Sequence, residues 1–153
     1  IPWMLAFALR ADGWYLRQDI IWNKPNPMPE SVRDRCTKSH EYIFLLSKNQ
    51  NYYFDVDAIK EPTRRKRSVW NVTKKPYKDA HFAVYPPELI IPCILAGSEE
   101  NDIILDPFMG SGTTGMVSKE LGRYYIGCEL HEDYGKLIEK RICQQGGLTK
   151  LSL

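Results

Sequence analysis

The chain has 153 residues, 43% of them hydrophobic, and a formal net charge of +2 at pH 7, a size that suits a single domain with one core. It contains no apolar run of transmembrane length and no leader with a basic start and a small-residue cleavage site, so we expect a cytoplasmic protein. Cysteines at 36, 93, 128 and 143 form no C-x-x-C pair, which predicts reduced thiols and no zinc, with Cys128 in the core.

The first third of the chain predicts one helix and two strands around a proline-rich loop. Residues 2–12 are apolar on most of a helical surface and end at a glycine, which is typical of a buried helix. Residues 14–23 predict a strand. Three prolines within 24–29 require an extended loop. Residues 40–48 predict a strand that is apolar enough to be buried on both faces.

The middle of the chain, residues 49–80, has no clean periodicity and predicts an irregular insert with one short strand at 69–72. Positive charge is concentrated there, which suggests a polyanion as partner, although a solvated loop is the alternative. The basic residues are Lys60, Arg64, Arg65, Lys66, Arg67, Lys74, Lys75 and Lys78.

The last part of the chain predicts alternating helices and strands. A helix at 86–96 precedes a strand at 102–106, a helix at 112–121, a strand at 123–129 and a helix at 132–143. This order is typical of a parallel sheet with right-handed crossovers. We therefore expect an α/β fold.

The segment 102–115, DIILDPFMGSGTTG, carries the strongest functional signal. An apolar strand leads to Asp106 and then to a turn containing Gly110 and Gly112, where backbone N–H groups and a helix start can receive a carboxylate or phosphate. Glu129 follows the next strand, 23 residues after Asp106, at about the spacing of the ribose-binding acid in Rossmann-like units. A P-loop is excluded because no lysine follows the glycines. The remaining alternative, a plain strand-to-helix turn, does not explain the paired acids.

This loop resembles the methyl-donor loop of S-adenosylmethionine-dependent DNA amino-methyltransferases, which modify N4 of cytosine or N6 of adenine. The order of the segments is similar to a permuted class in which the catalytic half precedes the cofactor half. The resemblance implies a Rossmann-like class I methyltransferase fold, incomplete in this chain. It divides the chain into the end of the catalytic half (1–48), a DNA-recognition insert (49–80) and a cofactor-binding half (81–153).

The resemblance also implies roles for individual residues. Glu129 would accept hydrogen bonds from the ribose of S-adenosylmethionine. DNA would be contacted by Lys24 and Asn26 in the proline-rich loop and by Arg64, Arg65, Lys66 and Arg67 in the insert. The other residues implied in cofactor binding are Phe82, Tyr85, Pro86, Asp106, Pro107, Phe108, Gly110, Ser111, Gly112 and Thr113.

The catalytic signature of that family, Asp or Ser followed by Pro-Pro-Tyr or Pro-Pro-Phe, does not occur in the sequence. Tyr85-Pro86-Pro87 has a different order and position, so we assign no catalytic residue. In the relatives the signature lies upstream of the position matched by Ile1, which predicts a C-terminal fragment that is inactive alone, has bare sheet edges and apolar surface, and depends on a missing segment or subunit. The rival hypothesis is a non-catalytic DNA-binding or regulatory module.

Overall fold

The computed structural model describes residues 1–73 and 84–144, and the chain divides into two compact units, 1–74 and 75–153. The α/β class predicted from the sequence is confirmed. In the described parts of both units, no helix is long and apolar enough to cross a membrane.

The first unit is a three-stranded sheet with one helix. It contains α1 (Pro2–Ala11), β1 (Tyr15–Asn23), β2 (His40–Ser47) and β3 (Val69–Asn71). The central strand β1 pairs antiparallel with β2 and parallel with β3. All four elements were predicted within two residues of these bounds.

The predicted burial of α1 and β2 is wrong. In α1 only Ala6 is buried, and the apolar side chains of Met4, Leu5 and Phe7 are exposed. Trp3 does pack edge-on against Phe44 of β2, at 5.0 Å between ring centroids. β2 is an edge strand with mostly half-buried residues, because its only partner in the described sheet is β1. An apolar segment favours burial, but its side chains are buried only where another helix or strand packs against them.

The second unit alternates helix and strand as predicted. Its elements are α2 (Pro87–Gly97), β4 (Ile103–Asp106), α3 (Thr113–Glu120), β5 (Tyr124–Gly127) and α4 (Glu132–Gln144). β4 and β5 pair in parallel, so the segment from β4 to β5 is a strand-helix-strand crossover. The carboxyl ends of both strands therefore lie at one edge, where such folds place ligands.

The core of this unit lies between α2, α3, α4 and one face of the β4–β5 sheet. Val117 of α3 is completely buried at its centre. Other members of the core are Ile94, Met109, Met116 and Ile142. On the sheet's other face the side chains of Ile103, Leu105, Tyr124 and Ile126 are more than half exposed.

Cys128 is exposed, which corrects its predicted place in the core. β5 ends at Gly127, two residues before the end of the predicted strand 123–129, so Cys128 belongs to the connection between strand and helix. Its backbone is still well held, since its N–H donates to the Asp106 carbonyl at 2.9 Å and its own carbonyl accepts from Met109 N–H at 2.9 Å.

Candidate cofactor site at the carboxyl ends of β4 and β5

The loop from Asp106 to Gly112 crosses the carboxyl ends of the two parallel strands. Phe108 N–H donates to Asp106 Oδ1 at 3.0 Å, and Gly112 N–H donates to the Met109 carbonyl at 2.9 Å. Gly110 and Gly112 have φ values of +54° and +80°, in the left-handed region that favours glycine. The loop therefore requires glycine at both positions, as predicted.

Met109 anchors this loop in the core. It is 4% exposed, while the preceding Phe108 is 87% exposed. A Cβ placed on Gly127 would lie 2.6 Å from the Met109 sulfur, and one on Gly115 would lie 2.5 Å from its terminal methyl group. We call this glycine-lined space, formed by Gly115 and Gly127, the Met109 socket. Burial of Met109 in this socket anchors the loop to the core, while the neighbouring Phe108 ring remains exposed to solvent.

Glu129 lies beside the loop and binds its backbone. Its Oε2 accepts from Gly110 N–H at 2.8 Å, and its Oε1 accepts from His131 N–H at 2.9 Å. These backbone donors, His131 first and Gly110 second, lower the pKa of the Glu129 carboxyl. Each carboxylate oxygen retains capacity for a further hydrogen bond, and the side chain is exposed. The structure thus brings together the acid and the glycine loop that the sequence paired.

Asp106 lies at the centre of a hydrogen-bonded cluster. Its Oδ2 accepts from the Tyr85 hydroxyl at 3.2 Å and also from the Thr114 hydroxyl, and the two hydroxyls contact each other. Burial raises the pKa of Tyr85 to about 12, and the nearby Asp106 charge acts in the same direction, partly offset by the Thr114 hydrogen bond. Asp106 and Tyr85 were predicted site residues, whereas Thr114 was missed.

Arg141 of α4 also reaches the loop and was missed by the sequence analysis. Its Nη1 donates to the Ser111 carbonyl at 3.1 Å, to Ser111 Oγ at 2.8 Å and to Thr113 Oγ1 at 3.2 Å. Ser111 and Thr113 are both buried. The only signal in the sequence was the spacing of Arg141 with Ile138 and Ile142, which places all three on one helical face.

The predicted cofactor residue Phe82 and the basic residues Lys74, Lys75 and Lys78 lie outside the described residues. Pro86 precedes α2 as its N-cap with an extended backbone, and Pro107 lies in the loop. Among residues 1–73 and 84–144, no group of three or more His, Cys, Asp or Glu side chains could hold a metal ion.

The predicted DNA-contacting residues of the described range all lie in the first unit. Lys24 forms an ion pair with Glu41 and lies 4.6 Å from the centroid of the Trp22 ring, whereas Asn26 is exposed in the proline-rich loop. Arg64 is paired with Glu61. Lys66 lies over the Trp70 ring at 5.1 Å, and Arg65 and Arg67 are exposed.

Comparison with known proteins identifies the family. A DNA methylase family model matches residues 3–140. The chain is 55% identical over 152 residues to the type II methyltransferase M.SmaI of Serratia marcescens, covering 95% of this chain and 52% of the relative. It is 40% identical to M.HinfI of Haemophilus influenzae, covering 86% of this chain and 40% of that protein. The chain thus spans about half the length, or less, of these curated relatives.

Solved structures share the fold, and one of them is a DNA methyltransferase by its name. The M1.HpyAVI–SAM complex has a TM-score of 0.74 and 30% identity, covering 91% of this chain and 68% of that one. The cytosine-N4-specific PvuII DNA methyltransferase has a TM-score of 0.80 and 20% identity, and the match covers 97% of this chain and 57% of that one. The predicted Rossmann-like methyltransferase fold is confirmed. With the family model matching nearly its whole length, the chain belongs to the N6/N4 family of DNA methylases.

Proposed function

We propose that this chain supplies the cofactor-binding part and DNA contacts of an enzyme that transfers a methyl group from S-adenosylmethionine to N4 of cytosine or N6 of adenine in DNA. One observation carries the proposal: the Glu129 carboxylate is fixed on the backbone of Gly110, in a glycine loop at the carboxyl ends of two parallel strands. The neighbouring M1.HpyAVI structure, named as a complex with SAM, supports the choice of cofactor.

The residues present fit that cofactor. Both oxygens of the exposed Glu129 carboxylate can each accept another hydrogen bond, which suits the two neighbouring hydroxyls of a ribose. The glycines let a ligand approach the loop backbone at the start of α3, where N–H groups and the helix dipole favour a carboxylate. The exposed Phe108 ring offers an apolar surface.

When bound, S-adenosylmethionine supplies an electrophilic methyl group on sulfur. The residues of this chain would hold the donor and contact the DNA, in which the target base has to leave the stack to be reached. We assign the DNA contacts to Lys24, Asn26 and the run from Arg64 to Arg67. The division into 1–48, 49–80 and 81–153, with these roles, is part of the same proposal.

Binding is the first test of the cofactor assignment. Titration of the 153-residue chain with S-adenosylhomocysteine, the demethylated product, should show a single site by calorimetry. Glu129→Ala should weaken binding roughly 10- to 100-fold, because charge-assisted hydrogen bonds to the ligand are lost. Glu139→Ala, which removes an exposed acid of α4, is the matched control. Equal affinities of the Glu129 variant and wild type would refute the assignment.

We further propose that these 153 residues alone do not transfer methyl groups, because the Pro-Pro-aromatic signature that holds the target amine is not in the sequence. Incubation with labelled methyl donor and mixed-sequence DNA should leave the DNA unlabelled even when the cofactor binds. Sustained labelling would overturn this proposal and require another catalytic residue here. The rival, a non-catalytic DNA-binding module, is favoured only by the missing signature, and a gene whose flanking sequence also lacks that signature would support it.

A further inference from the structure

Arg141 connects α4 to the glycine loop across the sequence. It lies 30 residues after Ser111 of the loop and 28 residues after Thr113, the first residue of α3, and the two hydrogens of its Nη1 are shared among three oxygens of these two residues. α4 also makes apolar contacts with the loop and with α3. A Cβ on Gly112 of the loop would lie 3.3 Å from the Ile138 side chain, and one on Gly115 of α3 would lie 2.9 Å from the Ile142 side chain. One face of α4 therefore covers the loop and the first turn of α3.

The loop needs such contacts because its own sequence restrains it weakly. Gly110 and Gly112 have no side chains, and glycine loses more conformational entropy than other residues when it becomes ordered. Contacts from outside the loop replace that missing restraint. Glu129 accepts from Gly110 N–H on one side, and Arg141 donates to the carbonyl and hydroxyl of the intervening Ser111.

The Ser111 carbonyl bond matters for orientation. In a trans peptide the carbonyl and the following N–H point in opposite directions. Arg141 binds the Ser111 carbonyl, and the N–H of the same peptide unit, that of Gly112, donates to the Met109 carbonyl. Both ends of this peptide unit are thereby held, and the left-handed turn at Gly112 cannot rotate without breaking a charged hydrogen bond.

We propose that Arg141 is a positioning residue: it holds the Ser111–Gly112 peptide and thereby the conformation of the glycine loop that receives the cofactor, and it makes cofactor affinity depend on the docking of α4. The role of Arg141 differs from that of Glu129, because the Glu129 carboxylate both binds the loop and is exposed, so that a ligand can reach it. The ligand-binding part of this inference rests on the proposed function, whereas the ordering of the loop does not.

The test compares Arg141→Met, Arg141→Lys and Lys136→Met in the full 153-residue chain. Arg141→Met should weaken S-adenosylhomocysteine binding about 10-fold in calorimetry, the scale of one lost charged hydrogen bond. Arg141→Lys should restore part of this loss, because a single ammonium keeps the charge but cannot reproduce the planar guanidinium geometry. Lys136→Met, which removes an exposed charge of the same helix, should bind like wild type.

Amide hydrogen exchange of the ligand-free protein separates positioning from general stability. Arg141→Met should accelerate exchange at Gly110 and Gly112 while leaving the amides of α2 unchanged. Acceleration of α2 to the same extent, or unchanged exchange together with wild-type affinity, would overturn the proposal. If wild type binds no S-adenosylhomocysteine, the proposed function fails, yet exchange at Gly110 and Gly112 still decides whether Arg141 orders the loop.

The coupling can also be measured directly. Ser111→Ala removes the hydroxyl that makes the 2.8 Å contact with Arg141 and leaves the carbonyl in place. If both residues act through one contact, the double variant with Arg141→Met should lose less affinity than the two single losses multiplied together. Fully multiplicative losses would show that the contact of Arg141 with the Ser111 hydroxyl contributes nothing to affinity and would overturn that part of the proposal.

Discussion

The Tyr85 hydroxyl lies between the carboxylate of Asp106 and the hydroxyl of Thr114, and each of these groups belongs to a different segment around the loop. Burial, reinforced by the Asp106 charge, raises the pKa of Tyr85 to about 12. The neutral phenol is therefore favoured by folding. Tyr85 contributes stability that is complete below the unfolded-state pKa of about 10 and is lost as the pH rises toward 12.

Tyr85→Phe should reveal this dependence. At pH 8 the variant should be less stable than wild type by about 1 kcal/mol, the usual net contribution of a hydrogen-bonded hydroxyl. The difference in stability should shrink between pH 10 and pH 12, because the Tyr85 hydroxyl ionises in wild type and loses its stabilising effect, whereas the variant has no hydroxyl to ionise. Urea unfolding at several pH values measures both effects. Tyr124→Phe, which alters an exposed ring, is the control, and a constant difference between Tyr85→Phe and wild type would contradict the assignment.

The residues of the site were not equally predictable. Asp106, Gly110, Gly112 and Glu129 stand beside strand and turn signals, so local sequence was enough to pair them. Arg141 is separated from the loop by α3, β5 and most of α4, and an arginine on a polar helix gives no local sign of its partners. Its role depends on how α4 packs on α3, which is tertiary information.

At the scale of elements, α3 and β5 are held together by the Met109 socket. Gly115 lies inside α3, where glycine is normally unfavourable, and a Cβ there would meet Met109, Ile142 and Tyr125 at 2.5, 2.9 and 3.0 Å. Steric fit rather than helix propensity accounts for glycine at this position. The contrast is Gly135 in α4, where a Cβ would meet nothing within 4 Å.

Gly115→Ala and Gly135→Ala should therefore change stability in opposite directions. The first gains about 1 kcal/mol in helix propensity but should be destabilised overall, because overpacking costs about 1–3 kcal/mol. The second keeps only the propensity gain and should be stabilised by about 0.5–1 kcal/mol. Urea denaturation of both variants is the measurement. Equal stabilisation of the two would show that Met109 can leave its socket at no cost.

The existence and order of the elements followed from periodicity, proline and glycine, whereas their burial did not. α1 and β2 have apolar sequences, yet most of their side chains remain at least partly exposed. The parallel pairing of β3 with β1 was likewise not predicted, because three residues carry no directional signal. Local sequence specifies an element, and the faces of its neighbours decide what it buries.

At the scale of the whole molecule, charge is distributed unevenly between the two units, with the basic run 64–67 in the first. Its charges are not equivalent, because Arg64 is paired with Glu61 and Lys66 lies over the Trp70 ring. Arg65 and Arg67 are exposed. They are the residues of this run whose charge is most available to phosphate.

The double variant Arg65→Glu/Arg67→Glu should weaken binding to DNA and reduce the slope of log affinity against log salt by about 2, since each phosphate contact contributes about 0.9. Arg64→Glu should change the slope less, because that charge is already partly neutralised by Glu61. Fluorescence anisotropy at several salt concentrations measures these slopes. Arg10→Glu in α1 is the control, and a slope unchanged in the double variant would mark the run as a solvated loop.

The Met109 socket has a further consequence for oxidation. A thioether that becomes a sulfoxide turns from apolar to polar and no longer suits a site lined by glycine and aliphatic side chains. Met109 is 4% exposed, whereas Met4 and Met28 are 73% and 79% exposed, so an oxidant reaches the latter two directly. Because Met109 is buried, we expect its oxidation to require an opening of the loop. The rate of sulfoxide formation at Met109, relative to the rates at Met4 and Met28, should therefore measure how often the glycine loop opens.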